Sequence, residues 1–225
     1  MTEIKICGIT NVEDALAAEA FGADAVGFVF YEKSPRYIDP GAAAAISARL
    51  GNLRRVGVFV NRNVEEVESI RKVCRLDYLQ FHGDEPPSYC LAFPVGRIIK
   101  AVSREQESHP SLLQDYAVFA FLVDGRSGAL RGGTGTKADW NAAREIGRRY
   151  RLILSGGLQP DNVEEALRSV RPDAIDVASG VECSPGRKDH AKMEDLIRRV
   201  RSRSAERTRP VFRVSSDAES AVPSA

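Results

Sequence analysis

The sequence predicts an α/β fold: a single (β/α)8 TIM barrel of eight parallel strands over residues 1–203, followed by a disordered tail over 204–225. Three observations carry this. Apolar runs of strand length alternate with helical segments at a repeat of roughly 25 residues, and eight such units close into a barrel. The 225 residues suit one such barrel and are too few for two ordinary enzyme domains. Late in the chain, Leu152–Leu158 (LILSGGL) and Ala174–Gly180 (AIDVASG) both run from apolar residues through a small polar residue into glycine. A glycine loop lets backbone N–H groups close on an anion, and a following helix start adds its positive dipole end. Two consecutive strand ends of this kind mark the place where such barrels hold a phosphate.

The elements follow in order. Ile4–Cys7 alternates apolar and polar residues and meets Gly8, giving the first strand, and Asn11 caps a helix over Val12–Ala20. Ala25–Phe30 is a buried strand, Tyr31–Pro40 a loop broken by prolines, and Gly41–Leu50 an alanine-rich helix. Arg55–Val60 is the third strand. Val64–Cys74 is the third helix, capped by Asn63 with Glu65 and Glu66 in its first turn. Asp77–Phe81 is the fourth strand, ending at His82-Gly83, and Pro86–Leu91 a short helix. Arg97–Val102 is the fifth strand, with a helical turn near Pro110–Tyr116. Val118–Val123 is the sixth, ending at Asp124 and followed by a glycine-rich loop, Gly125–Lys137. Helices over Trp140–Tyr150, Asn162–Ser169 and Lys188–Arg203 complete the set around the last two strands. Ser204–Ala225 has no periodicity and reads as disordered, with Pro210–Val214 as a docking segment the alternative.

The charge balance of +1 points to neither nucleic acid nor an anionic membrane as partner. No apolar run has the length of a signal peptide or a membrane span. Four scattered cysteines, Cys7, Cys74, Cys90 and Cys183, without CxxC pairing argue against a zinc site or a disulfide framework and fit a reducing cytoplasm.

Residues at strand C-terminal ends face the active site of such a barrel. These are Cys7, His82, Asp124 and the late glycines, with Arg36 in the loop after strand two. Cys7 has Lys5 two positions before it on the same face, and a nearby cation favours thiolate, which makes a base or nucleophile; a buried structural thiol is the alternative. Asp124 follows an apolar run, where desolvation raises a carboxyl's pKa and suits a general acid; a loop cap is the alternative. Arg36, held between Pro35 and Tyr37, can form a bidentate pair with a carboxylate. One strand-end histidine is too few for the usual metal site.

In chain order, KICGIT (Lys5–Thr10), KSPR (Lys33–Arg36), QFHG (Gln80–Gly83), GGTG (Gly132–Gly135), LSGGL (Leu154–Leu158), DVASGVE (Asp176–Glu182) and PGRKD (Pro185–Asp189) together resemble the phosphoribosylanthranilate isomerase family of tryptophan biosynthesis. The resemblance covers about Ile4–Arg201. It implies a cofactor-free barrel, monomer or homodimer, acting on a small phosphosugar: an Amadori rearrangement of N-(5-phosphoribosyl)anthranilate to 1-(2-carboxyphenylamino)-1-deoxyribulose 5-phosphate. By the same resemblance Cys7 is the general base, Asp124 the general acid and Arg36 the grip on the substrate carboxylate. Gly156, Gly157, Ser179 and Gly180 hold the phosphate, and His82, Gly133 and Asp176 contact substrate. Departures are Phe81, Ser155 and Ala178, where leucine, alanine and serine are frequent, and none removes a catalytic group. The histidine-pathway type of phosphosugar isomerase would carry aspartate in place of Cys7. A metal-dependent epimerase would need more strand-end His and Asp, and a non-catalytic barrel that senses a phosphorylated ligand would not need both Cys7 and Asp124.

Overall fold

A computed structural model of the chain describes residues 1–124, 140–203 and 209–212. Eight parallel strands pair in chain order and close, β8 onto β1: β1 (Glu3–Cys7), β2 (Ala25–Val29), β3 (Arg54–Phe59), β4 (Tyr78–Phe81), β5 (Ile98–Ala101), β6 (Ala120–Asp124), β7 (Leu152–Ser155) and β8 (Ala174–Val177). The helices between them are α1 (Val12–Ala20), α2 (Pro40–Ser47), α3 (Val64–Val73), α4 (Pro87–Cys90), α5 (Arg104–Ser108), α6 (Trp140–Arg149), α7 (Val163–Val170) and α8 (His190–Arg203). Side chains of Asn11, Asp39 and Asn63 accept from first-turn N–H groups of α1, α2 and α3, satisfying donors that a helix start leaves open.

Successive strand residues point to opposite faces. One set, including Ile4, Ile6, Val26 and Phe28, packs outward under the helices in the main core. The other set points into the barrel. At the N-terminal end it is apolar, with Ala25, Val56, Ile99, Ala120, Ile153 and Ala174. In the middle it is polar, with Lys5, Gln80 and Asp176 all buried. At the C-terminal rim Cys7 packs with Val29 and Val58.

Two sequence expectations need correction, and one helix is unexpected. The expected turn is present as a 3-10 turn over Pro110–Leu113; ahead of it α5 begins at Arg104, where Ser103 and Gln106 form a reciprocal capping box. The stretch after β8 is an antiparallel hairpin, β9 (Glu182–Ser184) and β10 (Arg187–Lys188), turned at Gly186, so α8 starts only at His190. The tail expected to be disordered is described over Arg209–Phe212, and those residues pack against the N-terminal end of the barrel with Val211 and Phe212 fully buried. Two adjacent apolar side chains need no periodicity to dock where a hollow is ready for them.

Candidate active site

Cys7, His82 and Asp124 stand at or just past the ends of β1, β4 and β6, and Arg36 lies in the loop after β2, all at the C-terminal rim. Gly133 lies outside the described residues. Cys7 is buried beside Lys5. Room for the two comes from Gly27 on β2, where a Cβ would stand 2.8 Å from Cys7 Sγ and 3.1 Å from Lys5 Nζ. Burial, helped by the Asp176 carboxylate, pushes the Cys7 thiol above its ordinary value; Lys5 and Lys188 oppose this without overcoming it. The expectation that Lys5 makes Cys7 a ready thiolate is therefore corrected: desolvation outweighs the cation.

Lys5 Nζ donates to Asp176 Oδ1 (3.0 Å) and to Gln80 Oε1 (2.9 Å). An ammonium only donates, so the Gln80 amide must turn its NH₂ to His82 Nδ1, 3.0 Å away. That nitrogen is then an acceptor, and the neutral ring carries its proton on Nε2. Burial lowers the pKa of His82, which favours this neutral form. Asp176 is thus placed in the polar layer beneath the rim, paired with Lys5.

Across the mouth, Asp124 closes β6 opposite Ser155 of β7 in register. Its Oδ1 is buried and has no hydrogen-bond partner among the described residues. A buried acceptor left open at the mouth of a barrel is suited to a ligand's hydroxyl or to a proton. β1 and β6 are separated by β7 and β8 on one side and by four strands on the other, so the thiol and the carboxyl face each other across the opening.

Arg36 is held by Glu182, with Nε to Oε1 at 2.9 Å and Nη2 to Oε2 at 2.6 Å. This bidentate bond raises the Arg36 pKa and leaves Nη1 and the outer edge of the guanidinium for another anion. Lys188 Nζ bonds Glu182 Oε1 (2.9 Å) and the Cys7 carbonyl (2.6 Å), tying the hairpin to the end of β1. Burial lowers the Lys188 pKa against the pull of Glu182. Sequence reasoning missed Glu182, Lys188 and Gln80 as parts of the site. The available signal was a polar or charged residue in short strand-like stretches with no solvent face to occupy.

After β7, Gly156 and Gly157 take φ of +92° and +65°, a backbone that side-chain-bearing residues rarely adopt. Asn162 stitches this loop, accepting from Gln159 N–H and donating to the Gly157 carbonyl, both at 2.9 Å. Ser179 and Gly180 sit in a 3-10 turn after β8. Helix α7 starts at Val163 as the sequence places it, with five residues between it and the glycines, so at the loop itself backbone N–H groups are what is offered. Among the described residues no group of His, Cys, Asp and Glu is arranged to hold a metal ion.

A thiol facing a carboxyl over the C-terminal mouth, with a held arginine on one side and glycine loops on the other, defines an acid–base (β/α)8 barrel enzyme. Comparison with known proteins narrows this. The chain belongs to the N-(5′-phosphoribosyl)anthranilate isomerase family, whose model matches residues 4–199. The N-(5′-phosphoribosyl)anthranilate isomerase of Syntrophus aciditrophicus is 48% identical over 202 residues, 89% of this chain and 88% of that protein. The phosphoribosyl anthranilate isomerase of Thermotoga maritima has a similar structure, with a TM-score of 0.81 at 42% identity, covering 90% of this chain and 100% of that one. A further isomerase structure, in complex with reduced 1-(o-carboxyphenylamino)-1-deoxyribulose 5-phosphate, has a TM-score of 0.78 at 42% identity over the same shares.

Proposed function

We propose that the chain isomerises N-(5′-phosphoribosyl)anthranilate to 1-(2-carboxyphenylamino)-1-deoxyribulose 5-phosphate in tryptophan biosynthesis, in the cytoplasm. The observation that carries the mechanism is the placement of Cys7 and Asp124 across one rim, the latter with an open buried oxygen.

Asp124 gives its proton to the furanose ring oxygen. The C1′–O bond breaks as the anilino nitrogen's lone pair forms C=N, leaving an open-chain Schiff base. Cys7, once deprotonated, removes the C2′ proton, and those electrons pass through C1′ to the nitrogen, giving an enolamine. Protonation at C1′ with loss of the O2′ proton yields the ketone. General acid–base steps of this kind contribute about 10²–10⁴-fold each.

Arg36 takes the anthranilate carboxylate on the guanidinium edge turned away from Glu182, and the loops at Gly156–Gly157 and Ser179–Gly180 take the phosphate, so both ends of the substrate are fixed. His82 offers Nε2–H to a substrate oxygen. Asp176, through Lys5, sets the charge balance beside Cys7. The test is turnover by purified protein, followed as loss of the substrate's anthranilate-type fluorescence. A protein with no turnover would refute the assignment.

A further inference from the structure

We propose that the N-terminal end of the barrel is a built peptide-binding pocket whose ligand is the chain's own segment Arg209–Phe212. This goes beyond the catalytic assignment and does not rest on it. The segment lies past residue 199, where the family match ends. It meets the pocket in the manner of a bound peptide, with an apolar anchor, satisfied backbone groups and a charged lip.

The anchor is Val211 and Phe212, 0% and 1% exposed among the inward-facing Ala25, Val56, Ile99 and Ala174. Those side chains are mostly small, and in a barrel that small they leave a hollow that a phenyl ring fills. The Phe212 ring meets Tyr78 edge-on at 5.7 Å, a favoured aromatic geometry.

The backbone is served equally. Val211 N–H donates to Glu3 Oε2 at 2.8 Å, and Phe212 N–H donates to the same oxygen. The Phe212 carbonyl accepts from Arg54 Nε at 3.1 Å. Pro210 has no N–H to satisfy. At the lip, Arg209 bonds Asp173 (Nη2–Oδ2 2.8 Å), the Gly147 carbonyl (2.8 Å) and the Tyr150 carbonyl, while its own N–H donates to Asp173 Oδ1 at 2.8 Å.

Glu3, Lys5 and Cys7 form the inward column of β1, so the segment grips the opposite end of the strand that carries the catalytic thiol. The pocket closes the end of the barrel remote from the chemistry, so its loss acts on stability and leaves the rim in place.

The test uses the full-length chain with Val211→Ser and Phe212→Ser together. Its melting temperature should fall by about 5 °C or more, with kcat/KM at 25 °C within about twofold of wild type, because the rim is distant. A synthetic Arg-Pro-Val-Phe amide is then titrated into this variant. A tethered segment has an effective concentration in the millimolar range, so peptide at several millimolar should raise the melting temperature in proportion to the logarithm of its concentration. The same peptide with serine for phenylalanine should not. The difference in melting temperature between wild type and the double variant should be independent of protein concentration, as an intramolecular ligand requires. The proposal is overturned if the double variant melts like wild type or if the peptide leaves it unmoved. It is also overturned if that difference grows with protein concentration, which would give the pocket to a second copy's segment.

Discussion

Cys7 shows how competing effects at one atom set a pH dependence. Its neighbours include two cations, Lys5 and Lys188, yet burial and Asp176 keep the thiol's pKa raised. In the proposed mechanism the base is the thiolate, and a raised pKa means that the thiolate is gained only as pH climbs above the ordinary thiol range. kcat/KM, which reports the free enzyme, should therefore still be rising above neutral pH. Cys7→Ser should remove that limb along with most of the rate; a flat profile from pH 7 to 9 in the wild type would contradict the reading. Glu182 has the complementary task. It has no part in the proposed proton transfers but fixes Arg36 through two bonds. Glu182→Gln keeps the shape and loses the charge, so carboxylate capture should weaken: KM up roughly tenfold, the scale of a charged hydrogen bond, with kcat within a few-fold. Steady-state kinetics that found kcat falling and KM unchanged would place Glu182 in the chemistry instead.

At the scale of elements, the sequence announces its strands well, because apolar runs such as VFAFLV stop abruptly at Asp124, His82 or glycine. The rim positions of Asp124, His82 and the late glycines were legible for that reason, and that of Cys7 from the alternating strand that stops at Gly8. What escaped was the polar layer. Lys5 reads only as a neighbour of Cys7, Asp176 enters only through the resemblance and Gln80 only within a motif, but a closed barrel has no wet face, and polar residues alternating on its strands mean a polar interior. The hairpin Glu182–Lys188 escaped because its strands are too short to show a period. Helix α5 was within reach through Ser103 and Gln106, the spacing of a capping box. The loop after β7 owes its shape to Asn162 as well as to its glycines. Asn162→Ala should weaken binding of inorganic phosphate and of product several-fold, for two lost hydrogen bonds in an exposed setting, while leaving the pH profile unchanged. Equal phosphate affinity in calorimetry would show that the loop holds itself.

For the whole molecule, closure of the sheet is what brings distant parts of the chain together. β1 lies beside β8, so Lys5 meets Asp176 and Lys188 meets the Cys7 carbonyl, and the barrel's diameter sets the span between Cys7 and Asp124. In the proposed mechanism these two groups do separate jobs on one substrate held by others. The most direct test is to measure kcat and product affinity together in Cys7→Ser and in Asp124→Asn. Each variant should lose about 10²–10⁴-fold or more in kcat, while the dissociation constant for 1-(2-carboxyphenylamino)-1-deoxyribulose 5-phosphate stays close to wild type, because Arg36 and the glycine loops are untouched. If Cys7→Ser kept most of the wild-type kcat, Cys7 would be a structural thiol and the base would have to be sought elsewhere on the rim.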